Sequence, residues 1–155
     1  MNSTYKLVSS CIAERIKSVL SHLFSNDLTG FIPGRYIGEY CRLIYDILHF
    51  TEENDIPGIL LLIDLEKAFD SISWSFIYDT LKFFNFGESV IEWVKTFNKD
   101  ITSAVTQNCS LSEFFNVQRG FRQGVSLSPY IFLLCAEILG IIVKKSREIK
   151  GIAVR

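Results

Sequence analysis

The sequence predicts an α+β fold in which helices pack on a small, mostly antiparallel sheet. Apolar residues recur at helical spacing over residues 4–24, 39–52 and 128–145. Residues 101–107 and 112–118 are two β-prone stretches around a short N-C-S-L segment, which predicts a hairpin. This order of elements differs from the strand–helix alternation that builds a parallel βαβ sheet.

One further strand is predicted at residues 59–65, I-L-L-L-I-D-L, directly after Pro57 and Gly58. Seven residues is a usual strand length, and apolar side chains at successive positions favour a strand covered on both faces. The sequence therefore predicts a central strand with Asp64 close to its end.

The helix boundaries carry local signals. Ser73 is expected to cap the N-terminus of a helix, and Gly87 to follow the C-terminus of that helix. A further helix is predicted at residues 90–97, and Pro129 suits the first turn of the last helix. The stretch 25–35 is rich in glycine, proline and polar residues, which predicts a loop.

Composition indicates one folded domain or part of a larger one. The 155 residues are 48% hydrophobic, so a core is expected and disorder is not. Sixteen basic and seventeen acidic residues give a formal net charge of −1, so charge alone does not support nucleic-acid binding. Residues 125–143 are apolar enough to suggest a membrane span, but Glu137 within them favours a buried helix.

The cysteines predict neither a metal site nor a disulfide framework. They are widely spaced, at Cys11, Cys41, Cys109 and Cys135. There is no C-x-x-C pair and there are only two histidines, so a zinc site is not expected. Buried free thiols are favoured over disulfides, and no signal peptide is visible, so secretion is not expected.

The first stretch that carries chemistry is I-D-L-E-K-A-F-D, residues 63–70. A carboxylate that is buried without a partner becomes protonated, whereas a divalent cation keeps it charged. Asp64 at a strand end therefore suits a magnesium ligand facing a phosphate site, because Mg²⁺ prefers one or two carboxylates with phosphates and water. The alternative is that Asp64 caps the turn after the strand.

The residues after Asp64 are interpreted differently. Asp70 is expected to act as a local cap for backbone N–H groups, because the segment around it resembles a turn into a helix. Glu66 and Lys67 are expected to be solvated turn residues. Phe69 is either a core residue or a wall of a substrate pocket.

The second stretch is R-G-F-R-Q-G-V-S-L-S-P, residues 119–129. Its glycines permit close approach of the backbone to a ligand, and the helix start that follows favours anions. Arg122 offers a forked donor for phosphate, and Gln123 an amide for a base or sugar edge. The alternative is an ordinary connection between a hairpin and a helix.

Together, the stretches LLLIDLEKAFDSI and RGFRQGVSLSPYIF resemble the reverse transcriptase domain of non-long-terminal-repeat (LINE-type) retrotransposons. The similarity also covers AERIKSVL, LTGFIPGRYIGEYCRLIYDIL and SWSFIYDTLKFFNFG, so it extends over essentially the whole chain. The resemblance implies a right-hand polymerase, with residues 1–155 forming parts of the fingers and palm.

The resemblance implies an RNA-directed DNA polymerase, a nucleotidyltransferase that uses two metal ions, with Mg²⁺ or Mn²⁺ expected only for a complete domain. In that scheme Asp64 is the first catalytic carboxylate and a metal ligand, and the backbone carbonyl of Leu65 joins it at a metal. Phe69 lies where the family places the aromatic residue that abuts the sugar 2′ position.

The resemblance also implies roles in nucleotide binding for the second stretch. Arg122, Gln123 and Gly124 match the loop that lines the nucleotide pocket, and Arg35 is assigned to the template or the triphosphate. The implied partners are an RNA template, a DNA primer, deoxynucleoside triphosphates and the rest of a retrotransposon polyprotein, without a membrane. The family suggests a cytoplasmic or nuclear location.

Two departures from the family pattern put activity in doubt. Val125 and Ser126 replace the usual Asp-Pro pair after R-Q-G. The aromatic-x-Asp-Asp hairpin and the thumb are missing from the 155 residues, which contain no adjacent pair of aspartates. The chain is therefore expected to be inactive alone. The alternative is a catalytically dead, transposon-derived remnant that acts as an RNA- or protein-binding module.

Overall fold

Helices form most of the regular structure in the computed structural model, which describes residues 3–25, 27–32, 34–121 and 124–152. Six helices and four two-residue strands are present in these ranges. In chain order they are α1 (Ser3–Leu23), α2 (Ile37–Glu53), α3 (Ala68–Ser71), α4 (Trp74–Phe83), α5 (Glu88–Asn98), β1 (Thr102–Ser103), β2 (Thr106–Gln107), β3 (Ser110–Leu111), β4 (Phe115–Asn116) and α6 (Ser128–Lys145).

The core lies between helices. α4 packs against α5 and α6, and α1 packs against α6. In α1, Ile12, Ile16 and Leu20 follow one another at intervals of four residues, and all three are buried. This apolar stripe faces the rest of the core, as helical periodicity predicts.

The predicted hairpin is present at residues 102–116. β1 pairs with β4, and β2 with β3, both antiparallel. Asn108 and Cys109 form the two-residue turn, with φ of 49° and 59°. Two positive φ angles in a two-residue loop are typical of a type I′ turn, whose twist matches that of the flanking strands. The predicted α+β class is confirmed.

The predicted central strand at residues 59–65 is wrong, because this stretch has no regular secondary structure. Its side chains are exposed, up to 93% for Ile59 and 76% for Leu62. A strand needs backbone partners at its edges and cover on its faces. None of the described residues of the neighbouring α2 is buried, and Ile59 and Leu60 only line an open pocket with Ile44, Ile47 and Leu48 of that helix, so the stretch is not buried there.

Two helix boundaries match the local signals and one does not. Ser73 caps α4, since its side chain accepts a hydrogen bond from the Phe76 N–H, and Pro129 lies in the first turn of α6. The prediction for Gly87 is wrong. α4 ends before it, with Asn85 taking the left-handed conformation at φ 57°, and Gly87 becomes the N-cap of α5.

The cysteines are free, but only Cys135 is buried, so the prediction of burial is wrong for the other three. Burial raises the pKa of the Cys135 thiol to about 11, and a contact with Thr80 acts in the opposite direction. Cys135 therefore stays protonated at neutral pH and is a poor nucleophile. None of the helices in the described part of the chain is long and apolar enough to cross a membrane.

Replacing a leucine in the helical core tests this packing. Leu81 is fully buried, whereas Leu61 is 74% exposed in the irregular stretch. We expect Leu81→Ala to lower the free energy of unfolding by about 2–5 kcal/mol, because it leaves a cavity. Leu61→Ala removes the same atoms and should change it by less than about 0.5 kcal/mol. Urea denaturation measures both. Equal losses would contradict the assigned core.

Candidate functional site

The two chemistry-bearing stretches meet through their backbones. The Gly120 N–H donates to the Ile72 carbonyl at 2.8 Å, and the Phe121 N–H donates to the Phe69 carbonyl at 2.9 Å. Ser73 and Arg119 form an antiparallel bridge beside them. The end of the first stretch and the start of the second therefore form one short two-stranded contact.

Gly120 is the point of closest approach in this contact. It has a φ of 86°, and a Cβ there would lie 2.9 Å from the backbone oxygen of Asp70. Its carbonyl accepts a hydrogen bond from the Trp74 indole N–H at 2.9 Å. Only glycine meets both requirements, since it tolerates positive φ and leaves room for the neighbouring backbone.

Three phenylalanines form an aromatic cluster at the contact. The ring of Phe69 stacks on Phe132 of α6 with 4.7 Å between centroids, and meets Phe121 edge-on at 6.2 Å. Phe69 is half-buried. Its ring is therefore fixed between the two stretches and α6. Whether it also contacts a sugar stays a prediction.

Asp64 lies in the exposed irregular stretch before this contact. The carbonyl of Leu65 accepts a hydrogen bond from the Ala68 N–H at 3.2 Å, which closes a turn. Glu66 and Lys67 form an exposed ion pair at 3.8 Å in that turn, so they are solvated turn residues as expected. The metal roles of Asp64 and Leu65 stay predictions.

A two-metal centre does not fit the side chains that the structure describes. Within those residues no group of three or more histidines, cysteines, aspartates or glutamates comes together at one point. A single carboxylate cannot balance two divalent cations, which need several oxygen ligands. Asp64 alone is thus an incomplete donor set.

Asp70 takes part through its backbone. It lies in α3, where its N–H donates to the Lys67 carbonyl at 2.8 Å, and its backbone faces Gly120. The side-chain cap expected for Asp70 is not observed among the described residues. Ser73 provides the cap at the start of α4, accepting from the Phe76 N–H at 3.3 Å.

The second stretch continues into α6. Arg122 and Gln123 lie outside the described residues, so their predicted roles stay predictions. Gly124 has a φ of 77°, which favours glycine. Val125 is buried in the core, and the Ser126 hydroxyl hydrogen-bonds that of Ser10 on α1 at 3.0 Å. The two residues that depart from the family pattern are therefore accommodated by this chain's own packing.

A cleft of about 550 Å³ borders the contact. Its wall includes Asp70, Arg119 and Phe121 of the contact, together with residues 101–103 and 115–117 in and next to the hairpin. Clefts of this volume commonly hold a small-molecule ligand. The contact between the two stretches therefore has adjoining space for a ligand.

Arg35 lies in the loop that joins α1 to α2. Its guanidinium donates to the backbone carbonyls of Ser25 and Leu28, and at 3.4 Å to that of Phe24. These bonds hold the loop together. The predicted contact of Arg35 with a template or triphosphate stays a prediction.

Glu137 is a structural residue whose role the sequence pattern did not predict. It is buried in α6, and it accepts hydrogen bonds from the Ser25 N–H at 3.1 Å and the Ser25 hydroxyl at 3.3 Å. The available signal was a single carboxylate within an apolar helix. A carboxylate in that position predicts a polar partner as well as arguing against a membrane span.

The two stretches that resemble polymerase motifs thus meet in one backbone contact beside a cleft. A family model described as reverse transcriptase (RNA-dependent DNA polymerase) matches residues 1–151. The chain belongs to the reverse transcriptase family, and its relatives place it with the non-long-terminal-repeat retrotransposons.

Two curated relatives support this membership. The chain is 32% identical over 154 residues to the transposon TX1 uncharacterized 149 kDa protein of Xenopus laevis, covering 94% of this chain and 12% of that protein. It is 24% identical over 138 residues to the retrovirus-related Pol polyprotein from type-2 retrotransposable element R2DM of Drosophila melanogaster, covering 85% and 13%. The chain thus spans only a small part of each relative.

Replacing Gly120 tests the contact between the two stretches. Gly120→Ala places a Cβ against the backbone of Asp70 at positive φ. We expect a loss of more than about 1 kcal/mol in the free energy of unfolding. Gly30→Ala is the matched control, because Gly30 lies in the loop between α1 and α2 without a positive φ and a Cβ there meets nothing within 4 Å. Urea denaturation compares them, and a loss no larger than that of Gly30→Ala would contradict the described contact.

Proposed function

We propose that this chain supplies parts of the fingers and palm of an RNA-directed DNA polymerase that acts within a larger retrotransposon polyprotein. The observation that supports this most is the backbone contact between residues 69–73 and 119–121. It brings together the two stretches that resemble the catalytic and nucleotide-pocket motifs. The adjoining cleft supplies space for a ligand.

Different residues of the chain would bind the cation and position the sugar of the nucleotide. Asp64 and the carbonyl of Leu65 would hold a divalent cation only together with further oxygen ligands, and the chemistry supplied by such a cation would be charge stabilisation at phosphate. Phe69 forms the wall beside the sugar, held in place by Phe132 and Phe121.

The loop after Gly120 would hold the triphosphate. Arg122 provides a forked donor for phosphate, Gln123 contacts a base or sugar edge, and Gly124 lets the backbone approach the ligand. Positive φ at Gly124 is consistent with this role. The substrates would be deoxynucleoside triphosphates, with an RNA template and a DNA primer.

A second function is favoured by two observations. The exposed apolar stretch 59–65 and the net charge of −1 suit a remnant that binds another macromolecule without catalysis. Such a remnant would not need Asp64. The dependence of activity on Asp64 therefore distinguishes the two functions.

The chain alone should not extend a primer. Asp64 has too few acidic neighbours among the described residues to hold two cations. We expect no product above the protein-free background with poly(rA), oligo(dT), dTTP and Mg²⁺. A template- and Mg²⁺-dependent product that Asp64→Ala abolishes would contradict this expectation.

Grafting the chain into a relative tests the proposed polymerase. The chain replaces the aligned 138 residues of the R2DM polyprotein, and the parent polyprotein is assayed alongside. We expect RNA-templated primer extension by the graft and a loss of at least about 100-fold with Asp64→Asn, because the ligand charge is removed.

Glu66→Gln in the same graft is the matched control, since Glu66 is an exposed turn residue two positions away. It should change the rate by less than about twofold. A folded graft without activity beside an active parent would favour the remnant, as would activity that Asp64→Asn leaves intact.

A further inference from the structure

An apolar pocket of about 300 Å³ lies between α1 and α5. Residues spaced three or four apart line it, so each helix contributes one face. The lining includes Val8, Cys11, Ile12 and Arg15 of α1, with Trp93 and Phe97 of α5. None of these residues lines the cleft beside Gly120, so the pocket is separate from the site described above.

Part of the pocket lining belongs to the core and part of it is exposed. Ile12 is buried, and the ring of Phe97 meets that of Tyr5 edge-on with 4.9 Å between centroids. Val8 is 44% exposed and Trp93 is 40% exposed. Apolar surface that stays in contact with water is stabilised when an apolar ligand covers it. The pocket therefore joins a well-packed inner side to an aromatic side that solvent reaches.

Arg15 brings a positive charge to this pocket. Its guanidinium has no ion pair or hydrogen bond with any other residue that the structure describes. The carboxylates that adjoin the pocket-lining residues in sequence, those of Glu14 and Glu92, are each paired with a lysine. These pairs are Glu14 with Lys17 at 3.5 Å and Glu92 with Lys95 at 2.6 Å. An anion that enters the pocket would therefore meet a guanidinium that is not neutralised.

The volume and the lining of the pocket indicate the chemical class of its ligand. An apolar cavity of about 150 Å³ holds one benzene ring, so about 300 Å³ suits two fused rings. The rings of Trp93 and Phe97 favour an aromatic ligand, which they can contact face-on or edge-on. The planar, forked guanidinium of Arg15 matches the geometry of a carboxylate. An apolar lining with a few placed polar groups is typical of small-molecule sites.

We propose that the pocket between α1 and α5 binds a fused-ring aromatic carboxylate, with its rings against Trp93 and Phe97 and its carboxylate paired with Arg15. This inference goes beyond the proposed function and does not depend on it, because the pocket-lining residues lie outside both motif-bearing stretches. A neutral hydrocarbon would leave Arg15 without a partner. A small inorganic anion would leave the apolar lining in water.

Protection of Cys11 from alkylation tests the proposal, with 2-naphthoate as the probe. Cys11 is exposed and lines the pocket, whereas Cys41 is exposed on α2 outside it. Peptide mass spectrometry follows the alkylation of both thiols by iodoacetamide in the 155-residue chain. We expect about 2 mM 2-naphthoate to slow the alkylation of Cys11 at least about threefold, because a ligand of this size reaches a dissociation constant of about 1 mM or below. The alkylation of Cys41 should not change.

Removing the positive charge of Arg15 tests the pairing with the carboxylate. Arg15→Gln should raise the 2-naphthoate concentration that half-protects Cys11 at least about threefold. Lys6→Gln is the matched control, because Lys6 is an exposed cation of the same helix that does not line the pocket. It should change this concentration by less than about twofold. On the unaltered chain, 2-naphthalenemethanol has the same rings without the charge and should protect Cys11 at least about threefold less well.

Filling the pocket tests the position of the rings. Val8→Phe places a larger side chain in the space for the ligand and should raise the half-protecting concentration at least about fivefold. Val19→Phe is the matched control, because Val19 is exposed to a similar degree on α1 and does not line the pocket. Each variant is compared with its own alkylation rate without the probe. The thermal midpoints of both variants, followed by circular dichroism, should match, since neither valine is buried.

Three results would overturn the proposed pocket ligand. One is an alkylation rate of Cys11 that about 2 mM 2-naphthoate leaves unchanged, or slows no more than that of Cys41. Another is equal protection by 2-naphthoate and 2-naphthalenemethanol, which would remove the role of Arg15. The third is a loss in Lys6→Gln or Val19→Phe as large as that in its partner variant. No primer extension is measured, so these results leave the proposed polymerase to its own test.

Discussion

The contact of Gly120 with residues 69–72 is the constraint on which the rest of the site depends. It joins stretches separated by α4, α5 and the hairpin, so it closes that whole segment onto itself. The rings of Phe69 and Phe121, and the bond from Trp74, are all placed by this approach. A side chain at position 120 would separate the two backbones, and with them the proposed catalytic and pocket-forming residues.

A second set of contacts, hydrogen bonds to charged side chains, orders the loop that joins α1 to α2. Glu137 is buried, and a buried carboxylate is stable only when hydrogen bonds offset its lost hydration. Ser25 provides two such bonds. The guanidinium of Arg35 in turn donates to the backbone carbonyls of Ser25 and Leu28 in the same loop. The loop is thus fixed on α6, the helix that begins just after the pocket-forming stretch. One helix therefore supports both regions.

The sequence predicted those parts of the fold that depend on local pattern. The stripe in α1, the cap at Ser73 and the hairpin need only neighbouring residues to form. Gly87 was misassigned because Asn85 also tolerates the left-handed conformation and ends α4 earlier. The contact at Gly120 and the role of Glu137 depend on residues far apart in sequence, so no local pattern could reveal them. Asp64, by contrast, was singled out from local pattern, and its metal-binding role stays a prediction.

The exposed stretch 59–65 and the incomplete acidic site have one physical cause. A strand forms only when other backbone pairs with it, and burial of its aliphatic side chains would then contribute roughly 25 cal/mol per Å². The same pairing would fix the position of Asp64 and bring other side chains to the strand end. Without this pairing, Asp64 lies in solvent and no group of acidic, histidine or cysteine side chains forms among the described residues. Its carboxylate is therefore expected to bind a cation weakly. Strand formation at residues 59–65 and cation affinity at Asp64 are therefore expected together, once another backbone segment pairs with these residues.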